Sequence, residues 1–397
     1  MQQFLAMPTF PFLFINLQQI NSLLMKNVLI SSMALTTLFA SCNKDEQSDT
    51  GNPTLTEILY TMPDEAATHE GTWLQWPHQY EYGVAYRNSL DATWVAMTKA
   101  LVQGEKVHII AYNATEQTRI TTLLTAAAVS LTNVDFKIYQ TNDVWVRDNG
   151  PIYVKDKNGN LLIEDWNFNG WGNKFGAAKC NTIPSKIAAE QSKPVIDLNN
   201  VLTVEGGSIE MDGNGTFLAT KSSILNNNRN AGVTQAQAET FFTKYLGATK
   251  FIWLNGVAGL ETTDMHIDGF AKFANGNTLV TMAQADLLYW QVLQTDINTL
   301  YAATNKSGTV YNITKIPLTQ NNVSTTSGSN LGYKGSYINY YIANTVILVP
   351  NYNDPNDAIA NAQIQALYPG KTVVGIDVRN LYKNGGMVHC VTQQQPQ

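Results

Sequence analysis

Cysteine is scarce. The 397 residues hold three, at positions 42, 180 and 390. Three cannot build a disulfide framework, and no two have the short spacing of a zinc or redox motif. Charge is sparse as well: charged residues make up 14% of the chain against 44% hydrophobic ones. That balance excludes a disordered polyelectrolyte and describes a well-buried globular chain. Positive charge is not in excess, since the formal net charge is −6, which argues against a nucleic-acid partner. The same acidity suits a cationic small substrate. Nor is there a long hydrophobic run, because the apolar stretch after Met25 is short for a membrane span.

That stretch reads as an address. "MKNVLISSMALTTLFASCNKDEQSDTG" carries one lysine, an apolar segment and small residues before Cys42, the layout of a secretory signal. "LFASC" followed by polar residues resembles a bacterial lipoprotein signal, with Cys42 lipidated and first in the mature chain. Phe39 stands where such signals usually have Leu. The expected organisation is a targeting segment over 1–41, with Met25 as an alternative start, a polar linker over 42–55 and one catalytic domain over 56–397. A lipid-anchored cell-envelope protein of a Gram-negative bacterium follows, the alternative being a cytoplasmic one.

Beyond the linker, one local unit recurs. "IYVKDKNGNLLIEDWNF", "IEMDGNGTFLATKSSIL" and "FAKFANGNTLVTMAQAD" each set an Asn/Gly turn between two β-rich runs. Such turns accept positive φ and match strand twist, so each is expected to be a hairpin. "YINYYIANTVILVPNYND" keeps the pattern with a different turn. The turns recur roughly every 60 residues. Between them lie helical segments, "TQAQAETFFTKYLG", with Thr234 as its cap, and "DAIANAQIQALYPG", each expected to stop at its glycine. An αβ unit repeated about a centre predicts a propeller-like ring, and an ordinary α+β sandwich is the alternative.

Chemistry concentrates in four stretches: "TNDVWVRDNGP" with Trp145 and Asp148, "VEGGSIEMDGNG" with Glu205, "ETTDMHIDGF" with His266 and Asp268, and "GGMVHC" with Cys390. Singly, each has a dull explanation; Asp148 could be turn chemistry. If "MHIDGF" is extended, His266 and Asp268 share a face. On an extended "HC", His389 and Cys390 face opposite ways, which leaves His266 as the thiol's partner and His389 without a part. A thiol, an imidazole and several carboxylates without metal spacing suggest nucleophilic catalysis. The surplus of carboxylates fits a guanidinium, whose N–H edges two carboxylates can grip while the carbon sits over the sulfur.

"WVRDNGP", "VEGGSIEMDGNGT", "LNNNRN", "HID" and "GGMVHCVTQQQP", in this order, resemble the agmatine deiminase and bacterial peptidylarginine deiminase family, from about residue 71 to the C-terminus. The resemblance implies the pentein fold, a five-bladed pseudo-symmetric α/β propeller with a central active site. It implies that Cys390 attacks the guanidinium carbon and that His266 protonates departing ammonia and then activates water. Asp148 and Asp268 would hold the guanidinium, Glu205 and Trp145 would line the substrate, and Gly385 and Gly386 would let the backbone approach it. A covalent thiouronium hydrolysed to a ureido product follows, with no metal or other cofactor.

"HCVTQQQP" and "FIWLNG" are similar to agmatine deiminases, which make N-carbamoylputrescine and ammonia. Met265 and Met387 stand where those enzymes commonly have Gly and Asn, so peptidyl- or free arginine remains the alternative substrate. Two further alternatives are a non-catalytic guanidine-binding lipoprotein and a cysteine hydrolase of amides. Relatives of this kind often form homo-oligomers. Cys180 is expected to be a buried or loop thiol without a catalytic part.

Overall fold

The computed structural model describes residues 56–397. The signal segment, Cys42 and the linker lie outside the described residues.

The four expected hairpins are all present as antiparallel pairs. They are Ile152–Asp156 with Leu161–Asn167, Ile209–Met211 with Thr216–Thr220, Ala271–Asn275 with Thr278–Thr281, and Tyr341–Ile342 with Val346–Asn351. Each hairpin gains a third strand running parallel to its second: Val195–Thr203, Lys250–Leu254, Asn312–Lys315 and Thr372–Asp377 respectively. A parallel neighbour cannot be reached by a tight turn, so a crossover is needed, and a helix usually supplies it. Helices Ile183–Gln191, Gln235–Leu246, the pair Gln284–Tyr289 and Gln294–Tyr301, and Asn356–Leu367 fill those four crossovers.

The fifth sheet is assembled from both ends of the described chain. Gln393–Pro396 pairs antiparallel with His69–Gln75, which continues in parallel to Lys106–Ala111 and Val134–Ile138. The described residues therefore form five small mixed sheets of three or four strands, an α/β fold of one repeated plan. Trp73, Trp94, Phe217, Tyr337, Tyr340 and Tyr341 are fully buried within it.

Local chemistry sets the helix ends. Thr234 caps Gln235–Leu246 in a reciprocal capping box with Gln237, and Gly247 closes the helix at φ 74°. The second helical segment departs from expectation. It ends at Leu367 with Tyr368 as its cap, short of Gly370. The Gln365 side chain accepts from Val373 and donates to the Tyr368 and Lys371 carbonyls, stopping the helix without a glycine.

Candidate active site

Four of the five sheets present a polar side chain from a short helical turn just ahead of an antiparallel strand, and the remaining one presents Asn339 from the irregular segment before Tyr341–Ile342. Asp148 lies in the single turn Val146–Asn149, before Ile152–Asp156. Glu205 stands at the start of the 3-10 turn Gly206–Ser208, before Ile209–Met211. His266 and Asp268 belong to the turn Ile267–Gly269 and its cap, before Ala271–Asn275. Asn339 precedes Tyr341–Ile342, and Cys390 sits in the turn His389–Val391, before Gln393–Pro396.

Four of these groups meet at one place. A methyl group added to Gly207 would stand 2.7 Å from His266 Nδ1, 2.8 Å from Asp148 Oδ1 and 3.0 Å from Asp268 Oδ2. Cys390 Sγ is 3.7 Å from the same Asp268 oxygen. Asn339 Nδ2 donates to Cys390 Sγ at 3.3 Å and to the Asp268 carbonyl at 3.2 Å, tying the two turns together. Each carboxylate is held from behind: Asp148 accepts from Trp171 Nε1 at 2.9 Å and from the Gly207 N–H at 3.0 Å. Glu205 lies one layer out. It bonds His266 Nε2 at 3.0 Å and accepts from Arg229 Nε at 3.0 Å, while Arg229 also pairs with Asp264.

Burial and mutual repulsion shape the charges. Burial first, then Asp268 and Glu205, pushes Asp148 up to about 6 against the opposing pull of His266. Burial acts to lower His266, but Asp148, Glu205 and Asp268 outweigh it and raise the imidazole to about 9. Asp268 is buried yet held below the ordinary carboxylate range by His389, His266 and Arg147. The Cys390 thiol is pushed well up, by burial first and then by Asp268 and Asp148. At neutral pH the site thus combines an imidazolium, two carboxylates and a protonated thiol. A planar cation held between the carboxylates would offset their repulsion of a thiolate.

Two local expectations are corrected. His266 and Asp268 do not share a face of an extended strand; the turn Ile267–Gly269 wraps them around the Gly207 position. His389 is not idle. The 3-10 turn His389–Val391 removes strand alternation, and His389 Nδ1 bonds Asp268 Oδ2 at 2.9 Å. Gly386 lies flat against the Trp145 indole, where any Cβ would collide with the ring. Gly385 is exposed at φ 87°, a turn conformation that favours glycine. Met265 is buried at φ 68° next to Asp264 at φ 60°, so two side-chain-bearing residues occupy the left-handed region just before His266. Thr220 Oγ1 and Ser222 Oγ donate to their carbonyls at 2.7 Å and hold that geometry. Met387 is buried with Sδ accepting from Tyr352 Oη at 2.9 Å. Cys180 is fully buried, 3.2 Å from the Asn142 N–H.

Sequence reasoning missed Gly207, Arg229, Trp171 and Asn339. Gly207 and Arg229 fall inside quoted motifs, so the signal was present but unassigned. Asn339 falls in a stretch read only as a hairpin and Trp171 in none, because their roles exist only once distant segments come together.

Comparisons with known proteins identify the family. Residues 61–396 match the family model described as Porphyromonas-type peptidyl-arginine deiminase. The chain is similar to the agmatine deiminase of Pseudomonas aeruginosa (strain LESB58), 31% identical over 369 residues, covering 87% of this chain and 98% of that protein. Its fold resembles the solved agmatine deiminase of Enterococcus faecalis, with a TM-score of 0.75 and 25% identity over 86% of this chain and 99% of that one. It also resembles the agmatine deiminase of C. jejuni, with a TM-score of 0.72 and 26% identity over 86% and 97%. A match over this length, to proteins covered almost end to end, shows that the chain belongs to the Porphyromonas-type peptidyl-arginine deiminase family.

Proposed function

We propose that this protein is a guanidine deiminase that converts agmatine and water to N-carbamoylputrescine and ammonia. The observation that carries the reading is the convergence of Asp148, His266 and Asp268 on the Gly207 position, with the Cys390 sulfur beside Asp268. Two carboxylates grip the N–H edges of the guanidinium and hold its carbon over the sulfur, while Trp145 and Glu205 bound the pocket. The cation balances the charges that hold the thiol protonated, so the thiolate forms with substrate in place.

Sulfur attacks the guanidinium carbon, and a C–N bond breaks as His266 gives its proton to the departing amine, releasing ammonia. The remaining thiouronium loses sulfur when His266, now neutral, draws a proton from an attacking water. Sulfur departs as the adduct's hydroxyl proton passes to it and restores the thiol, while the proton that the thiol gave up at the start converts the released ammonia to ammonium, so guanidinium and water give a ureido product and ammonium with no further reactant. In this reading the five repeated sheets close into a five-bladed ring around that centre, which accounts for polar side chains arriving from the segment ahead of an antiparallel strand in every sheet. The segment before the domain then serves as a lipoprotein signal that anchors the mature chain through Cys42 in the cell envelope. Mass analysis of the mature first residue tests this, and an intact Met1 would refute it.

Ammonia release from agmatine, free arginine and arginine peptides tests the substrate. Agmatine is expected to give the highest kcat/KM. Preference for a peptide would make the protein a peptidylarginine deiminase, and release from none would refute the enzyme.

A further inference from the structure

Behind the catalytic face lies a buried chain of charged groups. His389 Nδ1 faces Asp268 Oδ2 at 2.9 Å, and its Nε2 faces Glu65 Oε2 at 2.7 Å. Lys272 Nζ stands 3.2 Å from the same Nε2 and donates to Glu65 at 2.9 Å. Arg147 brings its Nη2 to 3.6 Å from Glu65 and donates from Nη1 to Gln394 at 2.8 Å. These side chains come from far apart in the sequence: the loop before His69–Gln75, the turn after Trp145, the strand Ala271–Asn275 and the cysteine's own turn. Lys272 and His389 are no more than 2% exposed, too deep to serve as surface charges.

From this geometry we propose that His389 is the positioning residue for Asp268, holding that carboxylate in register with the thiol through a relay anchored at Glu65 and Lys272. The direction of the hydrogen bond follows from the partners. Asp268 can only accept, so Nδ1 must donate. At the other nitrogen two states are available: Nε2 donates to Glu65 as imidazolium, or accepts from Lys272 as the neutral ring. In both, Nδ1 keeps its proton and donates it to Asp268. The ring can therefore follow a change of charge at the active site without releasing the carboxylate. His389 and Cys390 are adjacent in one rigid 3-10 turn, so the same turn fixes the sulfur and the group that orients its partner. The inference rests on the deiminase reading for its consequence in turnover, but its geometry can be tested without turnover.

Two amide substitutions separate the ring's two ends. In His389→Asn the amide nitrogen can occupy the Nδ1 position and keep the bond to Asp268 while losing Glu65. In His389→Gln it reaches the Nε2 position and keeps Glu65 while losing Asp268. The expected result on agmatine is a kcat for His389→Gln at least about tenfold below that of His389→Asn, with KM changing less than kcat. Equal kcat in the two variants, whether high or low, would overturn the assignment.

A chloroacetamidine probe gives a readout that does not need turnover. Its rate of alkylating Cys390 against pH should show a shifted apparent pKa in His389→Gln and the wild-type value in His389→Asn. The charged and titratable groups facing the ring are Asp268 and Cys390 on one side and Glu65, Lys272, Arg147 and Glu210 on the other, and both variants retain them all. A wild-type protein that turns over no guanidine would defeat the function while leaving this comparison readable. Should His389→Gln not fold, nitrogen NMR of wild-type protein labelled at histidine decides. Nδ1 of His389 should be protonated throughout the neutral range, and an unprotonated Nδ1 would overturn the proposal.

Discussion

At the scale of single residues, the site is a set of acids whose behaviour depends on one another. Asp148, with its carboxyl raised to about 6, is neutral below that pH and loses the charge and the two-oxygen grip that hold a guanidinium. His266, raised to about 9, is neutral above that pH and has no proton for ammonia. The kcat/KM of the free enzyme should therefore fall as pH drops through about 6 and fall again as it rises through about 9. An acidic limb near the ordinary carboxylate range would contradict the burial of Asp148. Cys390→Ala should remove turnover by at least about four orders of magnitude, measured as ammonia release. An amidine alkylating agent should label Cys390 and spare the fully buried Cys180, read by peptide mass. Asp148→Asn and Asp268→Asn should each cost about 10²–10³-fold in kcat/KM, whereas exposed Glu190→Gln should change it little. Asp148, Glu205, His266, Asp268 and Cys390 were legible because their motifs are short and local. His389 was misread for a physical reason: alternation of faces holds on a strand, and the "HC" segment is a 3-10 turn.

At the scale of elements, turns were more legible than strands. Asn-Gly sequences announced three hairpins and β-rich runs around Ala-Asn-Thr a fourth, because a tight turn is specified by the few residues within it. The parallel third strands were not announced. A run such as Lys106–Ala111, buried along all but its first residue, carries no alternation to distinguish it from a helix segment. The turn before His266 offers a test in which two magnitudes oppose. Met265→Gly should relieve about 1–2 kcal/mol of left-handed strain. It also removes a buried side chain, and large-to-small changes at such sites cost about 2–5 kcal/mol. Packing should win, giving a lower melting temperature in calorimetry. A more stable variant would mean that backbone strain dominates this turn.

At the scale of the molecule, the two ends of the described chain are joined in one sheet, and the bonds of its last strand reach inward. Trp73 Nε1 donates to Gln395 at 3.0 Å, Tyr153 Oη donates to it at 2.9 Å, and Gln393 Nε2 donates to the Pro151 carbonyl at 2.8 Å. Together with the Arg147–Gln394 bond, these tie the strand to the turn that carries Asp148. Deleting residues 393–397 strands several buried polar partners, each costing about 1–3 kcal/mol. Their sum approaches the ~5–15 kcal/mol that holds a domain folded. The truncated protein should lose cooperative unfolding in a calorimetric scan, although it keeps every proposed catalytic side chain.

The closing strand also has a bearing on synthesis. A chain made from its N-terminus receives its sulfur at residue 390 and docks that sulfur only when Gln393–Pro396 finds His69–Gln75. A product stopped before residue 393 lacks either the thiol or the strand that aims it. Seating of the thiol thus depends on a pairing between strands far apart in the sequence, and its reactivity toward guanidines waits on that pairing.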